Sequence, residues 1–169
     1  VRPEWPNEPI LGFSPGTDSG TFDYFVEVVM TPANGDDAEA GSAALQNAAN
    51  LQLSEDDNVL VQGVEGSPYA IGYFGFAYYQ ENQDRVKLVP IDGGTGPITP
   101  DATTINNGSY APLSRPIFIY LSKAGAAKPQ VRAFVEFYLE IAPLIASEVG
   151  YIPLPEAEYQ AAVDALAGF

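Results

Sequence analysis

Between Pro9 and Met30 the chain changes its period once, and this change fixes the kind of fold it can enter. Pro9-Ile10-Leu11-Gly12-Phe13 is short and apolar, and a strand is predicted over 10–13. Phe22, Phe25, Val26, Val29 and Met30 recur at helical spacing, predicting a helix over 19–31. Only the small-residue stretch Ser14-Pro15-Gly16-Thr17-Asp18-Ser19-Gly20-Thr21 lies between them. Ser19, Gly20 and Thr21 therefore fall where the helix begins. The first N–H groups of a helix have no internal partner, and its dipole is positive there. Gly20 lets an anion approach the backbone and the two hydroxyls add donors, so the junction has the build of an oxyanion site. The same residues also serve as ordinary caps, their side chains satisfying the open amides. The motif alone leaves both readings open.

Composition narrows the choice of function. The 169 residues suffice for one domain or two small lobes, and a 46% hydrophobic share with 10 Tyr and 9 Phe allows a sizeable core. A net charge of −15 argues against nucleic acid and anionic membrane surfaces, which call for a basic face. No apolar run reaches the length of a membrane span, and no stretch of the sequence reads as a signal peptide, in a chain that opens on Val1 rather than Met. The chain has no Cys and no His. Thiol catalysis, a Ser-His-Asp triad and the usual zinc sites are thereby removed. With no catalytic constellation, no enzyme, metal or cofactor is expected. An acidic chain can still bind an anion, because helix-end dipoles act locally while salt screens distant charges.

Further along, Val1 to Asn7 reads as a connection, 32–42 as a turn or loop, and 43–51 as a short helix. Ser54 with Asp57 predicts a capping-box-like start to a helix that Gly66-Ser67-Pro68 stops. Asp56 and Asp57 could do acid/base or metal work, but acids in a first turn ordinarily complement the dipole. From Ala70 a buried strand is predicted to pass into a helix reaching about Asn82. The aromatic run 73–79 reads as core packing rather than a stacking surface. Strands are predicted over 86–91 and 115–121, with a loop at 93–100 and a short helix at 100–110 capped by Thr99 or Asp101. The longest helix is predicted over 130–149, with Val131, Phe134, Val135, Tyr138, Ile141, Ala142 and Ile145 on its apolar stripe. Pro143 should kink it and Gly150 end it. A last helix is predicted over 155–169. Strands alternating with helices give an α/β class.

Five blocks, in order, carry a family resemblance: Gly16 to Phe25, Ser54 to Val64, Ala70-Ile71-Gly72-Tyr73 with Ala77-Tyr78-Tyr79, Leu113 to Tyr120, and Gly150 to Pro155. Together they resemble the C-terminal part of the phosphate-binding proteins that serve ABC phosphate transporters, over nearly the whole chain. The resemblance implies a type II periplasmic-binding-protein fold, in which two α/β lobes hold the ligand between them. It implies that 8–112 is most of lobe two, that 113–169 is the C-terminal segment of lobe one, and that an N-terminal lobe, on the same or a separate chain, is missing.

The resemblance further implies inorganic phosphate as ligand, an ABC permease as partner, and a periplasmic or cell-surface-attached extracellular location. Phosphate contacts carry over to Ser19, Gly20 and Thr21, with Thr17 and Asp18 of the same loop. Many members place an Arg four residues before that Ser, where this chain has Pro15; Arg115 is the substitute within the chain. Without that Arg, another tetrahedral oxyanion such as sulfate or molybdate stays open as ligand. So does a self-associating interaction protein. Arg115 itself reads alternatively as half of a structural salt bridge at the lobe junction.

Overall fold

The computed structural model describes residues 4–168. The first three residues of the predicted connection 1–7, and Phe169 of the predicted last helix, lie outside the described residues. The chain divides into two compact units, one ending at Pro97 and the other starting at Ile98.

The first unit opens with β1 (Leu11–Pro15), which runs through the small-residue loop into α1 (Gly20–Phe25). The helix widens into a π turn, Val26–Met30, and closes with α2 (Thr31–Ala33). Then follow α3 (Ala38–Gln46), β2 (Leu51–Ser54), α4 (Asp57–Glu65), β3 (Ala70–Gly72) and α5 (Phe76–Gln80). A small ribbon of β4 (Ile91–Asp92) and β5 (Pro97–Ile98) marks the boundary between units. The main sheet has the order β2-β1-β3, and both pairings are parallel. Parallel neighbours require crossover segments, supplied here by α1–α3 and by α4. Phe13 pairs with Gln52 on one side and Gly72 on the other, which puts β1 at the centre.

The core forms around that strand. Phe22, Val26 and Leu45 cluster with Phe25, Met30 and Leu51. Leu60 and Val61 of α4 are 1% exposed, and Phe13 is buried beside them. Gly63 lies directly against the Phe13 ring, where a Cβ would overlap Cε1. Burial on this scale is the main stabilising term, at roughly 1.5–3 kcal/mol per large apolar side chain.

Several sequence expectations are corrected. The first helix extends past residue 31 to Ala33, because Pro32 sits in the first turn of its last stretch, where no N–H is needed. The turn itself is compressed into 34–37, with Gly35 and Asp36 at positive φ. Residues 38–42, expected as loop, belong to α3, whose cap is Asp37. Helix at 43–51 overran: Leu51–Ser54 is a strand, held by its pairing with β1. Asp56 caps α4 by accepting from Asn58 N, while Ser54 Oγ bonds only to the Asp56 backbone. β3 is an edge strand with Ile71 exposed, so it is not fully buried. The expected strand 86–91 is regular only at Ile91; residues 86–90 instead line an open groove beside β3 and the end of α4.

The second unit holds α6 (Ala102–Asn106), α7 (Lys123–Ala126), α8 (Pro129–Ile145) and α9 (Glu156–Ala167). Asp101 caps α6 in a full capping box with Thr104. The predicted strand 115–121 does not form. A strand is held by hydrogen bonds to a neighbour, and none pairs with it among the described residues. Ile117, Phe118 and Tyr120 are left 62, 66 and 93% exposed. α8 stops at Ile145 rather than 149, and Tyr151 N then donates to Ala146 O at 2.8 Å, with Gly150 at φ +87. Its expected stripe is half-realised: Phe134 and Tyr138 are exposed, and Leu139 is the buried residue.

Candidate functional site

All three strands of the main sheet are parallel, so their carboxyl ends share one edge. Ligands of open parallel sheets bind beyond that edge. Here it carries the loop 16–19 after β1, the turn 54–56 after β2, and Tyr73 after β3. Gly16 N donates to Ser54 O at 2.9 Å, which continues the β1–β2 ladder into the loop. Ser19 N then donates to Gly16 O at 3.0 Å and closes the turn that starts α1.

Ser19 is the N-cap, with extended dihedrals, and its Oγ accepts from Thr21 N at 3.2 Å. Asp23 N donates to Ser19 O at 3.2 Å. The capping role is therefore real, and it leaves room for the other. A hydroxyl that accepts with one lone pair still has a proton to donate. Thr17, Asp18, Gly20 and Thr21 are exposed around it, while Gly16 beneath is buried.

The base of the loop is pinned from inside. Ser14 is fully buried, and its Oγ lies 2.6 Å from the Tyr73 hydroxyl and 2.9 Å from Pro15 O. The Tyr73 ring stacks on Phe25, centroids 4.1 Å apart, which ties the edge to α1. Burial pushes the Tyr73 phenol up, against the opposing pull of the Ser14 hydroxyl, so it is neutral across ordinary pH. Residues 73–79 are half-buried throughout, which fits core packing.

The electrostatics of this edge come from carboxylates. Glu55 Oε1 accepts from Asp18 N at 3.3 Å, and the same carboxylate lies over the α-carbon of Gly16. Asp56 and Asp57 follow at the start of α4. Burial holds the Asp57 carboxyl above its usual range, with help from the Asp56 and Glu55 charges. The first unit's cations among the described residues are Arg85 and Lys87. Arg85 is bound to Glu65, the last residue of α4, about 13 Å along that helix from its acidic start.

Ser19, Gly20, Thr21, Thr17 and Asp18 thus share one loop. Arg115 belongs to the second unit, on the irregular segment after α6. Sequence reasoning missed Glu55, because its place depends on β2, a strand that falls between the helices expected at 43–51 and from Ser54. The alternation Leu51-Gln52-Leu53 just before a cap was the available signal.

A sequence model described as a PBP superfamily domain matches residues 3–140. Protein SphX of Synechocystis sp. is 47% identical over 94% of this chain and 44% of its own length. The phosphate-binding protein PstS of Staphylococcus haemolyticus is 38% identical over 95% of this chain and 46% of its own. The crystal structure of a possible phosphate binding protein from Planctomyces limnophilus DSM 3776 superposes with a TM-score of 0.78 at 39% identity, covering 99% of this chain and 56% of that one. The chain spans about half the length of the curated relatives it matches. A parallel α/β sheet with a loop-to-helix junction at its carboxyl edge and a family match over most of the sequence lead to one assignment: the chain belongs to the PBP superfamily.

Proposed function

We propose that this chain is part of a solute-binding protein that captures inorganic phosphate for an ABC permease, outside the cytoplasmic membrane. The observation that carries the reading is the loop 16–21: a strand-to-helix junction at the carboxyl edge of a parallel sheet, capped by a hydroxyl that keeps its own donor. The ligand is suggested by the relatives, which are named phosphate-binding protein PstS. Ser19, Gly20 and Thr21 would contribute hydroxyl and amide donors, with Thr17 and Asp18 at the rim. Residues 8–112 would belong to one lobe and 113–169 to the other. The relatives' additional length would supply the rest of the ligand shell. The activity is binding without turnover. No helix among the described residues is long and apolar enough to cross a membrane. In this reading the permease, as a separate partner, carries the ligand across.

Calorimetric titration with phosphate and with sulfate tests this. The expected result is saturable phosphate binding that Ser19→Ala and Thr21→Ala each weaken, with Arg115→Gln as the arm for the cation. Sulfate displacing phosphate at equal concentration would move the assignment to another oxyanion, the reading left open by Pro15 in place of the family's frequent Arg.

A further inference from the structure

We propose that the Glu55 carboxylate is an internal occupant of the anion loop, which an incoming ligand must displace. The inference rests on the phosphate-binding reading of that loop and adds a residue that sets its affinity. Three observations carry it. Glu55 Oε1 accepts the Asp18 N–H at 3.3 Å, so a carboxylate already holds one of the loop's backbone donors. The carboxylate also fills the space over Gly16: a Cβ built there would meet Oε1, Cδ and Oε2, and the position is open to it only because residue 16 is glycine. Finally, Glu55 is exposed while the residues that seat it, Ser54 and Gly16, are anchored by the β1–β2 ladder. The head group can therefore leave while the loop keeps its shape.

The chemistry is competition between two anions for one set of N–H groups. Carboxylate and phosphate oxygens are both charged acceptors of backbone amides, and neither tolerates the other nearby without a cation between them. Among the described residues, neither of the first unit's cations lies at the start of α4: Arg85 is engaged at the far end of that helix, and Lys87 lines the groove beside the same end. While the site is empty, Glu55 satisfies the Asp18 amide. When an anion binds, the carboxylate swings into water, and the free energy of that release is subtracted from the affinity. Glu55 thus lowers the affinity without touching the bound ligand.

The test is Glu55→Gln, titrated with inorganic phosphate by calorimetry while the Asp18 and Gly20 amide resonances are followed by NMR. Glutamine keeps the shape but is a weaker, neutral acceptor. Glu39→Gln, the same charge loss on the exposed first turn of α3, is the control. The expected result is binding tighter by on the order of tenfold in Glu55→Gln, none of it in Glu39→Gln. The ligand-free Asp18 amide should shift in Glu55→Gln alone. Equal or weaker binding in Glu55→Gln, with the Asp18 amide responding to phosphate in both proteins, overturns the occupant role and leaves the phosphate reading standing. Phosphate that moves no loop amide in either protein overturns the loop as the site, and the occupant role with it.

Discussion

Asp57 shows how a single carboxyl can register its surroundings. It stands in the first turn of α4, where a negative charge is ordinarily favourable. Yet its carboxyl lies above the usual range. Partial burial is the largest cause and the charges of Asp56 and Glu55 add to it, while its own amide and the Tyr78 hydroxyl pull the other way. A raised carboxyl means that the folded state holds the proton more tightly than the unfolded one. Ionised Asp57 therefore destabilises the fold, fully above its folded pKa, and the penalty disappears as pH falls to the ordinary value of about 3.8. Asp57→Asn is expected to raise the denaturation midpoint at neutral pH, with the gap to the parent protein closing in acid. A variant less stable at pH 7 would show that the helix dipole and the Tyr78 contact outweigh the burial.

At the scale of elements, the fit of α4 onto β1 depends on Gly63. Its α-carbon faces the edge of the Phe13 ring, and a methyl group there would overlap Cε1, Cδ1 and Cζ. Phe13 is buried at the centre of the sheet, so the ring has nowhere to go. Gly63→Ala is expected to lower stability by about 1–3 kcal/mol, against a helix-propensity gain of at most about 1 kcal/mol. Urea unfolding would show it as a lower midpoint at an unchanged slope; an unmoved midpoint would mean that the sheet yields. Such contacts also decide which elements were legible in the sequence. β1, α1 and α4 announce themselves, because apolar residues at the right period face one core. β2 did not: Leu51-Gln52-Leu53-Ser54 is four residues long, and only its parallel register against Gly12 to Pro15 makes it a strand. α3 is rich in Ala and Gly, with Leu45 as its large buried residue, so it carries no readable stripe. Residues 115–121 fail in the opposite sense, with strand composition and no partner. The junction at 16–21 and its Ser19 cap were readable because they are set locally, whereas the seat of Glu55 was not, because it is made by the β1–β2 pairing.

For the molecule as a whole, the two units are unequally provisioned. The first builds its core on both sides of a sheet. Among its described residues the second has Ala126, Leu139 and Leu166 as buried hydrophobic side chains, while Ile117, Phe118, Tyr120, Phe134, Phe137 and Leu144 are exposed. Apolar surface of that extent marks an interface, and the chain spans under half the length of its SphX and PstS relatives. By itself the chain is expected to self-associate as its concentration rises in sedimentation experiments. Phe118→Ser with Tyr120→Ser should weaken that association, and a clean monomer at high concentration would sink the expectation. Charge is just as unevenly spread, because the described residues of the sheet unit set many carboxylates against two cations, Arg85 and Lys87. If the loop is the phosphate site proposed above, a field of that sign repels the ligand until it is within reach of the loop amides. Added salt shortens the range of that repulsion. The association rate constant should therefore climb with ionic strength, the reverse of what a cation-lined receptor shows: this protein would catch its anion faster in brine than in fresh water.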